Sequence, residues 1–197
     1  MISRRNIILY IVGALAFILM LKIYAQSDTF NLKCVVSTVD GNKYCVRDRE
    51  KIQESVDLLA SVVGKCTILV NYMQKTYPDN YNVQFLVKNY NPRAFSETLP
   101  NSELPAYSDN KGHKIAMCLT KNKQNQNKLI DENTLMYVAI HELSHIMSKA
   151  YQHVQEFWDN FKFLLENAVK IGVINYVDYS KNPTPFCGMT ITDNLLG

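Results

Sequence analysis

Over residues 131–150 the apolar side chains Leu135, Met136, Ala139, Leu143, Ile146 and Ala150 recur at helical spacing, and the same stretch holds His141-Glu142-Leu143-Ser144-His145. No other feature limits the fold so tightly. With successive residues turned by roughly 100°, the two histidines stand about 40° apart and one turn from each other, so both imidazoles reach one point in space. Ala139, Leu143, Ile146 and Ala150 point about 140° to 200° away from His141. The predicted helix, capped by Asp131, therefore has a buried face and a working face. An α+β domain with a small sheet packed on this helix is the expected architecture.

Histidines at i and i+4 have the spacing of a zinc site. In a chain of this composition the pattern His-Glu-x-x-His arises by accident about once in 300. The competing arrangement is an exposed helix with two solvent-facing histidines. Catalytic zinc takes three protein ligands and leaves a fourth position to water. His153 is the leading third ligand, but it stands eight residues past His145, about 12 Å along an unbroken helix. The chain must bend within residues 148–151, after which His153 opens a helix over 154–170. Glu156 and Glu166 are its rivals. Glu142, beside the metal and not bound to it, is placed as the general base for a zinc-bound water that attacks a carbonyl. Peptide or isopeptide hydrolysis is the commonest use of this arrangement.

The rest of the chain supplies a scaffold. Asp40-Gly41 between two β-rich runs predicts a hairpin. Ile52, Val56, Leu59, Val63, Cys66, Val70 and Met73 predict a long helix over 49–76, with Gly64 as a kink and Pro78 as a stop. A short strand is expected over 83–87. Residues 89–112, with Pro92, Pro100 and Pro105, read as an irregular surface loop that serves as a lid, a binding edge or a plain connector. A second strand over 114–119 offers its edge to an extended peptide, and 121–128 form a solvated turn. His113, beside Gly112, reads as a turn residue. Tyr176 and Tyr179 are candidate oxyanion donors. Cys34, Cys45, Cys66, Cys118 and Cys187 contain no Cys-x-x-Cys pair, which excludes a zinc knuckle and a thioredoxin-like centre. They form one or two disulfides or serve as plain core residues, with at least one thiol left over. Cys187-Gly188-Met189 either packs as a turn, places Cys187 in a disulfide, or lies beneath the metal.

Lys and Arg number 21 against 18 Asp and Glu. Arg4, Arg5 and Lys22 all lie in the first 26 residues, which hold no acid, so the remainder is balanced. A neutral domain exerts no general pull on nucleic acid, and no specific nucleic-acid partner is expected. The +3 charge belongs to an apolar N-terminus in which Ile7 to Leu21 carry no charge. If Lys22 snorkels, residues 7–25 approach the roughly 20 needed to span a bilayer. A cleaved signal peptide is the alternative, although Ile23-Tyr24-Ala25 fits a small-x-small site poorly. Residues 1–25 are thus read as a retained anchor and 26–197 as one domain. Arg4 and Arg5 then hold the short N-terminus in the cytoplasm, and the domain lies on the non-cytoplasmic side.

The run 141–145, followed by His153-Val154-Gln155-Glu156-Phe157-Trp158, resembles the WLM-domain and SprT-like zinc metallopeptidases, whose His-Glu-x-x-His is followed by a third His and then Phe or Phe-Trp. Asp178-Tyr179 and residues 183–189 are similar to WLM-like proteins encoded by large DNA viruses. The resemblance covers about residues 134–189 and implies a zincin-like fold, with His141, His145 and His153 as zinc ligands and Glu142 as catalytic acid and base. Seven residues separate His145 from His153, where five are typical. The expectation is a membrane-anchored zinc metallopeptidase acting on protein or peptide, in a viral setting that includes the virion membrane. The alternative is a membrane-tethered virion structural or binding protein with a structural zinc. A nucleoprotein-directed peptidase, the third reading, requires salt-dependent DNA binding.

Overall fold

The computed structural model describes residues 4–27, 31–123, 125, 127–150 and 152–196. Outside it fall residues 1–3, residues 28–30 ahead of the predicted hairpin, Gln124 and Gln126 of the predicted turn, Tyr151 of the predicted bend, and Gly197. The side chains of Arg4 and Arg5, the predicted positive flank, also lie outside the described residues.

Helix α1 (Arg4–Gln26) is apolar on every side, and its side chains from Ile7 to Tyr24 are exposed. Such a surface has no favourable place in water, and its length suits a bilayer. Strands β1 (Lys33–Val36) and β2 (Lys43–Val46) form the expected antiparallel hairpin. Gly41, at φ 72°, supplies the left-handed turn. Cys34 lies opposite Cys45 and is bonded to it. Asp57 clips the hairpin to the next helix by accepting from Ser37 Oγ, Thr38 N and Thr38 Oγ1, each at 2.8 Å.

Helix α2 (Ile52–Thr76) runs through Gly64 unbroken and buries Val56, Leu59, Val63, Cys66, Val70 and Met73. It too is long and apolar enough to cross a membrane, but its apolar stripe is occupied by the core. The strand expected over 83–87 is instead helix α3 (Tyr81–Asn89). Asn80 Oδ1 caps it by accepting from Asn82 N and Val83 N, and Val83 and Leu86, one turn apart, face inward.

The predicted irregular loop contains a 3-10 turn (Pro92–Ala94) and two strands, β3 (Phe95–Glu97) and β4 (Ala106–Asp109). The cause is long-range. Glu97, fully buried, accepts from Arg47 N at 2.8 Å and is ion-paired with the guanidinium groups of Arg47 and Arg49. Buried charges persist only when paired in this way. Strand β5 (Lys114–Met117) completes a mixed sheet of order β1-β2-β3-β5-β4, with β2, β3 and β5 parallel and β4 antiparallel to β5. The strand predicted to offer an edge is therefore interior, and β4 is the edge on its side of the sheet, with β1 at the other.

Helices α2 and α4 (Glu132–Met147) lie against the sheet, α5 (Gln155–Lys170) packs on α4 from outside, and α4 is enclosed by α2, α3, α5 and β4. Enclosed in this way, α4 is buried on all sides from Thr134 to Met147 except at His141 and His145. The expected open face is thus a two-residue window, and Ala150 lies beyond the helix. A hairpin of β6 (Thr184–Phe186) and β7 (Met189–Ile191) ends the fold and is tied to the end of β5 by Cys118–Cys187. Cys66 remains a buried free thiol.

Candidate metal centre

Helix α4 begins where Asp131 accepts from Thr134 N and Thr134 Oγ1, both at 2.8 Å. It ends where Ser148 turns extended, at ψ 145°. The chain then crosses a connector and re-enters helix at Gln155. This crossing brings His153 back over the preceding helix: its Nε2 lies 3.1 Å from His141 Nε2 and 3.1 Å from His145 Nε2.

The connector is held by Lys111 and Asn160, which sequence reasoning did not assign to the site, and by Glu156 in a role it did not foresee. Lys111, in the β4–β5 turn, donates from Nζ to the carbonyls of His145 (3.1 Å), Ser148 (2.7 Å) and Ala150 (2.8 Å). Asn110, Lys111 and Gly112 all have positive φ, which aims the lysine at the helix end. A Cβ at Gly112 would meet Asn89 O at 2.6 Å, so only glycine lets the turn dock. From the other side, Glu156 accepts from Lys149 N (3.2 Å) and Ala150 N (3.5 Å), and Asn160 Nδ2 donates to Ser148 Oγ (2.9 Å). Glu156, a rival ligand by sequence, binds backbone instead. Glu166, the other rival, is exposed on α5 and outside the histidine cluster.

Phe157, fully buried, contacts all three imidazoles, with ring centroids at 4.8 Å (His141), 4.4 Å (His145) and 4.5 Å (His153). Trp158 Nε1 donates to His153 O at 3.1 Å. The Phe-Trp pair thus forms the floor under the cluster. Burial, then the neighbouring imidazoles, pushes His141 down to about 3. Burial, then His153 and Lys111, pushes His145 down to about 4. Both rings are therefore neutral at ordinary pH, the state in which an imidazole can bind a metal. Burial raises the Glu142 carboxyl to about 8, and its Oε2 is buried with no hydrogen-bond partner among the described residues.

Three Nε2 atoms facing one another do not make a sound hydrogen-bond network. A neutral imidazole nitrogen either donates or accepts, so the single proton His153 Nε2 can carry serves one neighbour and leaves the other unserved. A shared cation satisfies all three lone pairs at once. Two nitrogens on one tetrahedral zinc stand roughly 3.3 Å apart, given bonds of about 2.0–2.1 Å; His153 Nε2 lies 3.1 Å from each partner, and the three ligand nitrogens all lie within 4.8 Å of one another. Glu142 and the three histidines line a cavity of about 280 Å³ that also touches Ala106, Ser108 and Lys111.

The other candidates fall elsewhere. Tyr179 is buried, with its hydroxyl 3.5 Å from Thr134 Oγ1, and Tyr176 donates to Asn194 Oδ1 at 2.5 Å; neither lines the cavity. His113 lies in the β4–β5 turn, as expected. Cys187 is spent in its disulfide, and Met189 is half exposed on a neighbouring groove rather than beneath the histidines.

Among curated proteins, the chain is similar to "Uncharacterized protein R325" of Acanthamoeba polyphaga mimivirus, with 25% identity over 194 residues, 96% of this chain and 98% of that protein. It is also similar to "Uncharacterized protein 136R" of Invertebrate iridescent virus 6, with 32% identity over 59 residues, 30% of this chain and 33% of that protein. Both relatives are viral. No family model matches the chain, and no solved structure matches it.

Proposed function

We propose that this chain is a membrane-anchored, zinc-dependent peptidase of zincin-like, WLM-type architecture. The observation that carries the reading is the convergence of three Nε2 atoms beside a buried, unpartnered carboxylate. His141, His145 and His153 hold the ion, which when bound supplies a Lewis acid for a carbonyl oxygen and an acidified water. Glu142 Oε2 takes the proton of the attacking water and hands it to the departing amine nitrogen. Its site is desolvated, which suits a carboxylate that has to hold a proton near neutrality. Three protein ligands with an adjoining cavity favour a catalytic site over a structural one, which closes its coordination with protein.

The edge strand favours a peptide as substrate. Pro105 O is bonded to Cys118 N, so the alternation of the β4–β5 ladder directs the backbone groups of Ala106 and Ser108 away from β5. An extended chain pairs there beside Glu142. Helix α1 serves as the anchor. Two disulfides favour an oxidising compartment for the domain, on the far side of the membrane from the cytosol.

The test uses the full chain in detergent. Wild type takes up one equivalent of zinc and cleaves peptides. Glu142→Gln keeps the metal and the fold and loses cleavage by at least about a hundredfold. Equal turnover in the two forms rejects the assignment, and zinc without turnover in either leaves a structural metal on a tethered viral protein.

A further inference from the structure

Next to the metal cavity, on the side toward the start of α4, lies a second hollow of about 450 Å³ that shares Leu104, Ala106, His141, Glu142 and His153 with it. Its far wall is the C-terminal hairpin, through Phe186, Met189 and Ile191, and its floor is Tyr137 and Val138 of α4. A hollow of this size and largely apolar lining has the character of a ligand pocket. The wall is not a loose flap. Cys187 is bonded to Cys118, Cys187 N donates to Thr120 O at 2.9 Å, and Gly188 N donates to Lys121 O at 3.1 Å.

Given the peptidase reading, on which this inference rests, we propose that the groove between β4 and the β6–β7 hairpin is the specificity pocket. It receives a large apolar side chain from the residue next to the reacting carbonyl. Three observations fix that occupant. The groove opens directly onto Glu142 and two of the histidines, so its occupant is joined to whatever lies at the reacting centre. Ala106 belongs to both hollows and to the edge strand, so a peptide paired on β4 passes from one to the other. Charge selects against an acid: Asp193 and Glu142 both line the groove, and no Lys or Arg does among the described residues. The small side chain of Ala106 leaves room that a larger residue would fill.

The probes are three peptide hydroxamates that differ only in the side chain beside the chelating group: hydrogen, isobutyl or carboxymethyl. Their binding to the zinc-loaded full chain is measured by calorimetry, in wild type and in Glu142→Gln, so that affinity is read without turnover. The isobutyl compound binds tighter than the hydrogen compound by on the order of tenfold or more, since each buried methylene contributes severalfold. The carboxymethyl compound binds more weakly than isobutyl. Ala106→Phe, which keeps the disulfide and suits a strand, collapses the isobutyl advantage toward unity. Zinc-loaded protein that ranks the three compounds equally overturns the pocket and leaves the metal centre standing. The expected ranking in a chain that cleaves no peptide supports the pocket while the peptidase reading fails. A chain that binds no zinc overturns both.

Discussion

His141 and His145 are placed by one mechanism, and His153 by another. The first two ride on α4, where backbone hydrogen bonds set the spacing and three helices with an edge strand enclose the element. His153 sits exposed on a non-helical connector, held by a lysine thirty-four residues upstream of His145 and by side chains of the following helix. Lys111 takes carbonyls and Glu156 takes amides, so the connector is gripped through both halves of its backbone chemistry. A helical pair inherits its geometry from the fold. A third ligand on a connector inherits it from a few long-range contacts that can be lost while the fold stays intact. Seven residues separate the second histidine from the third, and a linking segment of that length outside a helix needs such a clamp to hold one geometry.

The largest effect separates the two classes through stability. His141→Ala and His153→Ala each abolish stoichiometric zinc uptake. Metal-free His141→Ala also unfolds at clearly lower urea, because His141 packs on Phe157 and Phe161. Metal-free His153→Ala also gives up a contact with Phe157, but from an exposed ring, and costs less than His141→Ala, about 1 kcal/mol or under. Equal destabilisation of the two would break the comparison.

Next comes the clamp. Lys111→Met lowers zinc affinity by about 10–100-fold, as loss of the groups that orient metal ligands does elsewhere, while the far-ultraviolet circular dichroism is unchanged. Lys111→Arg keeps the cation and recovers part of the loss. Glu156→Gln, which keeps acceptor oxygen for the amides at 3.2 and 3.5 Å, costs less than Lys111→Met. Competition titration against a chelator ranks the three. Wild-type affinity in Lys111→Met would show that the connector holds itself.

The same division explains what could be read from residue order. The β1–β2 hairpin, α2, α4 and the pairing of His141 with His145 all rest on local signals: an Asp-Gly turn, helical periodicity, and the one-turn spacing of the two histidines. Strands β3 and β4 do not. Glu97 becomes a strand residue because Arg47 and Arg49, some fifty positions away, neutralise it, and β4 because it pairs with β5 across a turn of left-handed residues. Val83, Phe85, Leu86 and Val87 look like a strand when counted as apolar residues, whereas the helix signal in this stretch is the Asn80 cap. The two-faced helix failed as a picture because amphipathicity measures one element and burial depends on its neighbours. Lys111 carried only one cue, its place in Asn110-Lys111-Gly112, and a turn says nothing about which carbonyls a lysine will reach.

The smallest prediction sharpens the contrast from the helical side. Asp131→Ala removes the cap of α4, where the carboxylate takes both Thr134 N and Thr134 Oγ1. Loss of such a cap costs about 1 kcal/mol, read as a lower urea midpoint of the metal-free domain. Zinc affinity should not change. The cap lies ten residues before His141, fraying of a helix end spreads over about one turn, and the segment from Leu135 to Ile140 is buried. The helical pair therefore tolerates damage at its own element's end that costs at least as much stability as losing the connector's exposed histidine. An affinity loss in Asp131→Ala as large as that in Lys111→Met would mean that the whole of α4 moves when its start is loosened. The pair would then owe its geometry to tertiary clamping, as His153 does.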